Sequence, residues 1–385
     1  MTILVPLVDA AELVEAGEAG RCVRVQWRDG SESLYPFVWM RDNCQCSDCF
    51  LDRPTFVRAL VLRDLDVDAT VLECAPSADG DELHLTWAGG HQSRYAADWL
   101  LARSFRPEEQ RRRLEEHTLE RCHWDASLAD HLPCADFQRV LESEPTRLEL
   151  LVALERYGLV VVKNCGQQRD QVRRLVDTIG YPRTTHYQTI FEVRNKVDPI
   201  NIAYTTKRLN MHTDLPYYEH QPQVQLLHVR RQHSGGGGRS EFTDAVHVAH
   251  QLRRLQPEAF RLLADTPVDW ANVTLSQETG RSHHKLHRAP VLHVSPAGRV
   301  MGVRFSQAQR DSFFGVPLEA VERWYRAVAL FNRMLNLPQF KVSFLPESGD
   351  MLVFDNTRLV HGREDYHQPE QAGERCPRGR LHRSG

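Results

Sequence analysis

Three groups of residues in this chain could do chemistry. Cys44-x-Cys46-x-x-Cys49 sets three thiols close together. His212-Thr-Asp214 sets an imidazole two residues from a carboxylate, and His361 stands just beyond the turn, strand and loop of Gly349-Asp-Met-Leu-Val-Phe-Asp-Asn356. Thiols at that spacing are zinc ligands. Zinc takes four tetrahedral N or S donors, and a site closed by protein alone is structural. His84 and His91, both on a downstream hairpin, are the candidates for the fourth donor. In an extended segment residues i and i+2 point the same way, so His212 and Asp214 can face one metal and a distant strand end can add His361. Two imidazoles and one carboxylate on one face, with the other positions open, suit iron(II) that must activate oxygen. A second His-x-Asp, His123-Trp-Asp125, has no strand framing it, whereas His212 follows Asn201-Ile-Ala-Tyr204 and precedes the strand-like Val224–Val229.

Positioning such groups takes two folded pieces. Residues 21–27 alternate with period two, Arg28-Asp-Gly30 supplies turn residues, and Ser33-Leu-Tyr35 begins another extended run. Leu83–Trp87, Gly89-Gly90 and His91–Tyr95 give a second hairpin, closed by a short helix over 97–102. This predicts a small β-rich zinc-binding domain over residues 1–102, then a helical and irregular linker over 103–145 whose helix runs from Pro107 to Glu120. A larger domain follows over 146–385. Its elements are a helix over Leu148–Tyr157 ended by Gly158, a buried strand Leu159–Lys163 and a helix over 169–180. Further strands lie at 224–229, 299–305 and 351–354. A helix from Pro317 to Asn336 collects Leu318, Val321, Trp324, Val328, Phe331 and Leu335 on one face. The fold class is therefore mainly β with flanking helices, a double-sheet jelly roll (double-stranded β-helix) behind the small domain. No internal repeat is apparent.

Composition narrows the rest. The net charge of −3 gives no basic field for nucleic acid, and Asp42, Asp48 and Asp52 flank the thiols where a nucleic-acid-reading finger needs basic residues. No apolar run nears the ~20 residues of a membrane span, and the N-terminus lacks a basic n-region. Nine cysteines, an odd number, read as reduced thiols rather than a disulfide framework. A cytoplasmic protein is expected.

The ordered words Asn201-Ile-Ala-Tyr-Thr-Thr206, His212-Thr-Asp214, Val224-Gln-Leu-Leu-His228, Asp355-Asn356 and His361-Gly-Arg363 resemble the gamma-butyrobetaine dioxygenase and trimethyllysine dioxygenase family. Trp39-Met-Arg-Asp-Asn-Cys-Gln-Cys-Ser-Asp-Cys49 is similar to its zinc module. The resemblance implies a jelly-roll catalytic domain, a homodimer, iron on His212, Asp214 and His361, 2-oxoglutarate as cosubstrate and ascorbate as reductant. The family's Trp followed four residues later by His matches Trp87 and His91, making His91 the fourth zinc ligand. Tyr187, Phe191 and Tyr204 match an aromatic cage for a small-molecule trimethylammonium group, which only ring faces can hold, and Asn201 and Arg304 match positions facing the substrate carboxylate. Ser240 matches a hydroxyl for 2-oxoglutarate. The cosubstrate's far carboxylate needs an Arg fork, and Arg375 and Arg378 stand near the family's offset after His361, although the strand that follows that Arg in the family is not recognisable here. The implied reaction is hydroxylation of gamma-butyrobetaine to carnitine. Trimethyllysine is the alternative substrate, and a non-catalytic isoform or paralogue without a complete clamp is the alternative of another class.

Overall fold

Alternation sets the first part of the chain. The strand β1 (Val8–Glu15) pairs with β2 (Arg21–Trp27), which turns at Gly30 into β3 (Glu32–Pro36) and α1 (Phe37–Asp42). A short hairpin, β4 (Phe50–Leu51) and β5 (Val57–Arg58), follows the thiols. The strands β6 (Val71–Pro76), β7 (Glu82–Trp87) and β8 (Gln92–Ala96), then α2 (Ala97–Leu101) and α3 (Pro107–Glu116), complete this stretch. The computed structural model describes residues 6–51, 57–116, 118–193, 205–233, 235–275 and 282–366. It divides into two units, Met1–Leu119 and Glu120–Gly385, and the division falls inside the segment expected to link them.

The expectation of no internal repeat is overturned in the first unit. The order β1-β2-β3 recurs as β6-β7-β8, each a three-stranded antiparallel sheet ending in a short helix. Offset by sixty positions, Trp27, Gly30, Ser33, Tyr35 and Trp39 become Trp87, Gly90, Ser93, Tyr95 and Trp99. The contacts recur too. Trp27 Nε1 donates to Ser33 Oγ at 2.9 Å, and Trp87 Nε1 to Ser93 Oγ at 2.9 Å. Both glycines take a positive φ, +81° and +78°, which the hairpin turn needs and L side chains resist. Even the break in pairing recurs, between Val8 and Ala10 and between Val71 and Glu73. Each tyrosine donates to the helix end of the other copy: Tyr35 to Leu100 O at 2.8 Å and Tyr95 to Met40 O at 2.5 Å. The two copies share one core of Val23, Val25, Tyr35, Met40, Leu83, Leu85, Tyr95 and Leu100. The repeat escapes a reading by similarity because five spaced positions carry it while their neighbours diverge.

The second unit begins with β9 (Cys134–Asp136), α4 (Phe137–Glu142) and α5 (Glu144–Tyr157). Ser143 Oγ caps α5 by accepting from Thr146 N, so the helix starts earlier than its apolar pattern suggests, and Gly158 at φ +73° ends it. Then come β10 (Leu159–Lys163), α6 (Gln171–Ile179), β11 (Leu209–His212), β12 (Val224–Val229) and β13 (Ser240–Asp244). The helices α7 (Ala245–Leu255) and α8 (Pro257–Asp265) lead to β14 (Val268–Leu275), β15 (Ser282–Ala289), β16 (Leu292–Val294) and β17 (Val300–Val303). After α9 (Leu318–Leu335), β18 (Lys341–Phe344), β19 (Asp350–Asp355) and β20 (Leu359–Arg363) close the unit. Trp324, Phe331 and Leu335 on α9 are fully buried as expected, but Leu318 is 87% exposed because the first helical residue lies beyond the packed face. Within the first unit, α3 stops at Glu116 rather than Glu120.

Two four-stranded sheets, β12-β19-β10-β9 and β11-β20-β13-β18, form the double-stranded β-helix. Leu159, Val161, Leu352 and Phe354 of one sheet pack with Phe242, Val342 and Leu359 of the other. The chain crosses between sheets at the corner from β19 to β20. There Asp355 Oδ1 accepts from Thr357 N, Thr357 Oγ1 and Arg358 N, and Arg358 is completely buried against Asp244 at 2.7 Å. This corner aims His361.

Candidate functional site

Register decides the site in the second unit. The strands β11 and β20 run antiparallel with His212 directly opposite His361, and their rings lie 4.3 Å apart. Opposed residues share a face, and Asp214 completes the group: its Oδ1 is 3.3 Å from His212 Nε2 and its Oδ2 is 3.5 Å from His361 Nε2. The donor atoms of all three lie within 4.8 Å of one another. His212 Nδ1 donates to Asn210 O at 2.8 Å, which leaves Nε2 as the lone-pair donor. Burial pushes the Asp214 carboxyl up, but the two neighbouring imidazoles outweigh it and hold the group well below the usual carboxylate range. Burial, with the neighbouring His212, lowers His361, which favours the neutral imidazole that a metal needs. Gln225 Nε2 donates to Asp214 Oδ2 at 2.7 Å. Asn356 Oδ1 accepts from Asp214 N, and its Nδ2 donates to Asp214 O and Pro222 O. Gln225 therefore holds the carboxylate, and Asn356 holds the backbone of Asp214. Two imidazoles and one carboxylate converging on one side can hold iron(II) with positions open.

The rival His123 is elsewhere: its Nδ1 lies 3.4 Å from Asp244 Oδ2, and its ring meets His247 and His250. Ser240 lies on β13 opposite Arg363, with Phe242 opposite His361, so its side chain shares the face of the metal group. Tyr187 and Phe191 pair at 5.1 Å. They connect to the metal group through residues that sequence reasoning passed over. His186 lies 4.0 Å from the Tyr187 ring, and its Nε2 is 3.4 Å from the hydroxyl of buried Tyr217, three residues after Asp214. Arg304 Nη1 donates to the carbonyls of Pro216 and Tyr218, and its Nη2 to Glu219 O, so it braces the loop after Asp214. Asn201, Tyr204, Arg375 and Arg378 lie outside the described residues. Gln225 and Asn356 stood inside the family words; His186 and Tyr217 carried no signal, since only packing makes them neighbours.

In the first unit Cys44, Cys46, Cys49 and His91 converge. His91 Nε2 stands 3.3, 3.7 and 3.8 Å from the three sulfurs. A tetrahedral zinc with bonds of about 2.3 Å to S and about 2.05 Å to N demands S···N edges of about 3.6 Å, so the donors stand where zinc needs them. Ser93 Oγ donates to Cys44 Sγ at 3.0 Å and Arg41 Nη1 to Cys49 Sγ at 3.3 Å. His84 is paired with Glu82 at 2.8 Å instead, so His91 and not His84 stands with the thiols.

The model of the Taurine catabolism dioxygenase TauD, TfdA family matches residues 124–384. The chain is a dioxygenase of this family. The family implies iron(II) and 2-oxoglutarate. Residues 14–101 of this dioxygenase match the gamma-butyrobetaine hydroxylase-like N-terminal family. The gamma-butyrobetaine dioxygenase of Homo sapiens is 34% identical over 91% of this chain and 89% of its own. That of Pseudomonas sp. (strain AK-1) is 31% identical over 94% and 90%. The mitochondrial trimethyllysine dioxygenase of Rattus norvegicus is 28% identical over 90% and 83%. No described helix of this dioxygenase is long and apolar enough to cross a membrane.

Proposed function

We propose that this dioxygenase hydroxylates gamma-butyrobetaine to carnitine, with iron on His212, Asp214 and His361 and zinc on Cys44, Cys46, Cys49 and His91. The observation that carries the reading is the convergence of His212, Asp214 and His361 in a chain that is 34% identical to a gamma-butyrobetaine dioxygenase over most of its length. Bound iron would couple oxygen activation to the oxidative decarboxylation of 2-oxoglutarate to succinate. The protein's own work is positioning and exclusion of water. Gln225 holds the Asp214 carboxylate and Asn356 its backbone, and Arg304 braces residues 216–219 so that the ligand and the Tyr217 ring keep their places. Tyr187 and Phe191, with Tyr204, offer ring faces to a trimethylammonium group. Ser240 and one of Arg375 and Arg378 take the cosubstrate carboxylate, ascorbate serves as reductant, and the protein works as a cytoplasmic homodimer.

The test is succinate formation from 2-oxoglutarate with gamma-butyrobetaine and with trimethyllysine, each as sole substrate. Carnitine and succinate in equal amounts are expected from the first. Hydroxytrimethyllysine instead would transfer the assignment to the second, and binding of 2-oxoglutarate without turnover of either would make the chain a non-catalytic relative.

A further inference from the structure

Tyr187 sits in a two-residue turn. Thr185 and Gln188 exchange main-chain hydrogen bonds at 3.1 and 2.9 Å, which leaves His186 and Tyr187 as the central residues. Gln188 closes the turn at φ +72°, a left-handed conformation that residues other than glycine rarely adopt. His186 anchors this turn to the rest of the unit. Its ring lies 4.0 Å from that of Tyr187, and 5.7, 6.0 and 5.6 Å from those of Tyr217, Tyr218 and His283. His283 belongs to β15, whose half-buried inner face also carries Lys285 and His287 and is basic. Lys285 Nζ stands 4.7 Å over the Tyr218 ring, and Arg183 approaches the same ring at 5.7 Å.

Counting protons gives each hydrogen bond a direction. The main-chain N–H of His186 donates to Tyr218 Oη at 3.1 Å, and His186 Nδ1 lies 3.1 Å from the same oxygen. Among the described residues the Tyr218 hydroxyl has no other hydrogen-bond partner. Its proton therefore goes to Nδ1, and the imidazole carries its own on Nε2. That proton faces Tyr217 Oη, 3.4 Å away. Tyr217 is buried, and its hydroxyl in turn meets the side chain of Tyr187. Burial, with His283 and Lys285 beside it, pushes His186 down to about 4, which favours the neutral ring this pattern requires. The chain of bonds thus runs from Tyr218 through His186 and Tyr217 to Tyr187. Both inner tyrosines stand on the loop that follows Asp214.

We propose that His186 is a positioning residue for the substrate: it ties the Tyr187 ring to Tyr217 and Tyr218, and so sets where that ring holds the substrate relative to the iron ligands. The inference rests on the reading of Tyr187 as a ring of the trimethylammonium cage. An imidazole suits the task because it accepts on one edge and donates from the other, so one side chain orders two hydroxyls and stacks on the ring it serves. Rate falls steeply when a reacting bond is displaced by even about 1 Å. A loosened Tyr187 would leave the oxidation of 2-oxoglutarate running while the substrate C–H lies out of reach, and succinate would then form without hydroxylated product.

The experiment reads two quantities. One is the affinity of full-length protein, loaded with zinc, iron and 2-oxoglutarate, for gamma-butyrobetaine, titrated anaerobically by calorimetry. The other is carnitine formed per succinate. His186→Leu keeps much of the volume but neither accepts nor donates. It is expected to weaken the affinity by about tenfold, the worth of a desolvated ring face to a cation, and to lower carnitine per succinate. Iron content, zinc content and melting temperature should stay near the parent's. His186→Gln, whose amide donates where Nε2 does, should recover part of both readouts. Tyr218→Phe removes the donor to Nδ1 and should shift both in the direction of His186→Leu. A His186→Leu protein that binds and couples as the parent does overturns the inference. So does one that loses affinity only together with melting temperature and without rescue by Gln, because His186 then serves the fold alone. Tyr187→Leu separates this result from the cage. If Tyr187→Leu weakens binding and His186→Leu does not, the cage stands and only this inference falls. If Tyr187→Leu leaves the affinity unchanged, or the parent binds no gamma-butyrobetaine, the cage reading falls and this inference with it.

Discussion

The Cys44–Cys46–Cys49–His91 cluster offers four donors, and side chains of its own unit hold them: Ser93 on Cys44 and Arg41 on Cys49. The His212–Asp214–His361 cluster offers three, two of them placed by one cross-strand pair. The first fills a tetrahedron and leaves nothing for a substrate. The second leaves coordination positions for a cosubstrate and oxygen. What differs is the number of donors, and that number separates a metal that holds a fold from one that takes part in a reaction.

The largest effect expected from this contrast is on folding. For a structural zinc, binding energy is folding energy, on the order of 10 kcal/mol in small zinc domains. Cys46→Ser should abolish bound zinc and the cooperative unfolding of the first unit, read by elemental analysis and calorimetry. Mild chelation should leave about one zinc per chain in the parent while stripping iron. A well-folded parent without zinc breaks the comparison.

Asp214→Ala should do the reverse. Turnover should fall at least about 10³-fold, about 4 kcal/mol, while the melting temperature stays near the parent's. His123→Ala is the control, and a comparable loss there would move the iron site to the other His-x-Asp.

Next in size is the corner that aims His361. Arg358→Leu leaves Asp244 buried without its cation, which should cost about 3–5 kcal/mol, measured by denaturant unfolding. The pH dependence follows with a definite sign. Burial raises the Asp244 carboxyl, but His123 and Arg358 bring it down to about 2, below its unfolded value of about 3.9. Its contribution is thus complete above about pH 4 and is lost as pH falls from there toward 2. The stability gap between the parent and Asp244→Asn, about 2–3 kcal/mol from this linkage, should close over that interval.

How much of this was legible beforehand depends on distance along the chain. The cysteines lie within one turn, so spacing revealed their chemistry; His212 and Asp214 lie within one extended step, but His123-Trp-Asp125 has the same spacing, and strand framing with the family words chose between them. His361 needed a strand boundary and a family word. The strand β9 has three residues, too few for periodicity, and takes its place from parallel pairing with β10. Tyr217, His186 and Lys285 gave no signal, because their meaning lies in which side chains the loops bring together. The basic inner face of β15 even argues against a buried strand when read by alternation.

Outer groups give the fourth effect. Gln225→Leu removes the donor on Asp214 Oδ2 without touching a ligand atom, so iron affinity should fall about 10- to 100-fold. Iron titration of apoprotein followed by activity measures it, and zinc content should not change. An unchanged iron affinity would mean that the backbone hydrogen bonds from Asn356 place Asp214 without help from Gln225.

The smallest effect separates metal from fold within the first unit itself. Ser33 and Ser93 are equivalent in the two copies, and each accepts from a buried tryptophan at 2.9 Å. Beyond that they part. Ser93 donates to Cys44 Sγ, whereas Ser33 meets Ser104 Oγ at 2.9 Å, and Ser104 is the counterpart of Cys44. The counterpart of His91 is Ser31, whose hydroxyl accepts from Arg106. The side of the repeat built from Ser31, Ser33, Ser104 and Arg106 thus uses hydroxyls and one guanidinium where the side built from Cys44, His91 and Ser93 uses a metal. Ser33→Ala and Ser93→Ala each strand one indole N–H, so each should cost about 1–2 kcal/mol of stability. Only Ser93→Ala also strips a donor from a thiolate, so only it should speed zinc loss to a chromophoric chelator. The difference between the two variants isolates that one hydrogen bond to sulfur. Equal rates of zinc loss would mean that Ser93 serves the repeat and not the metal.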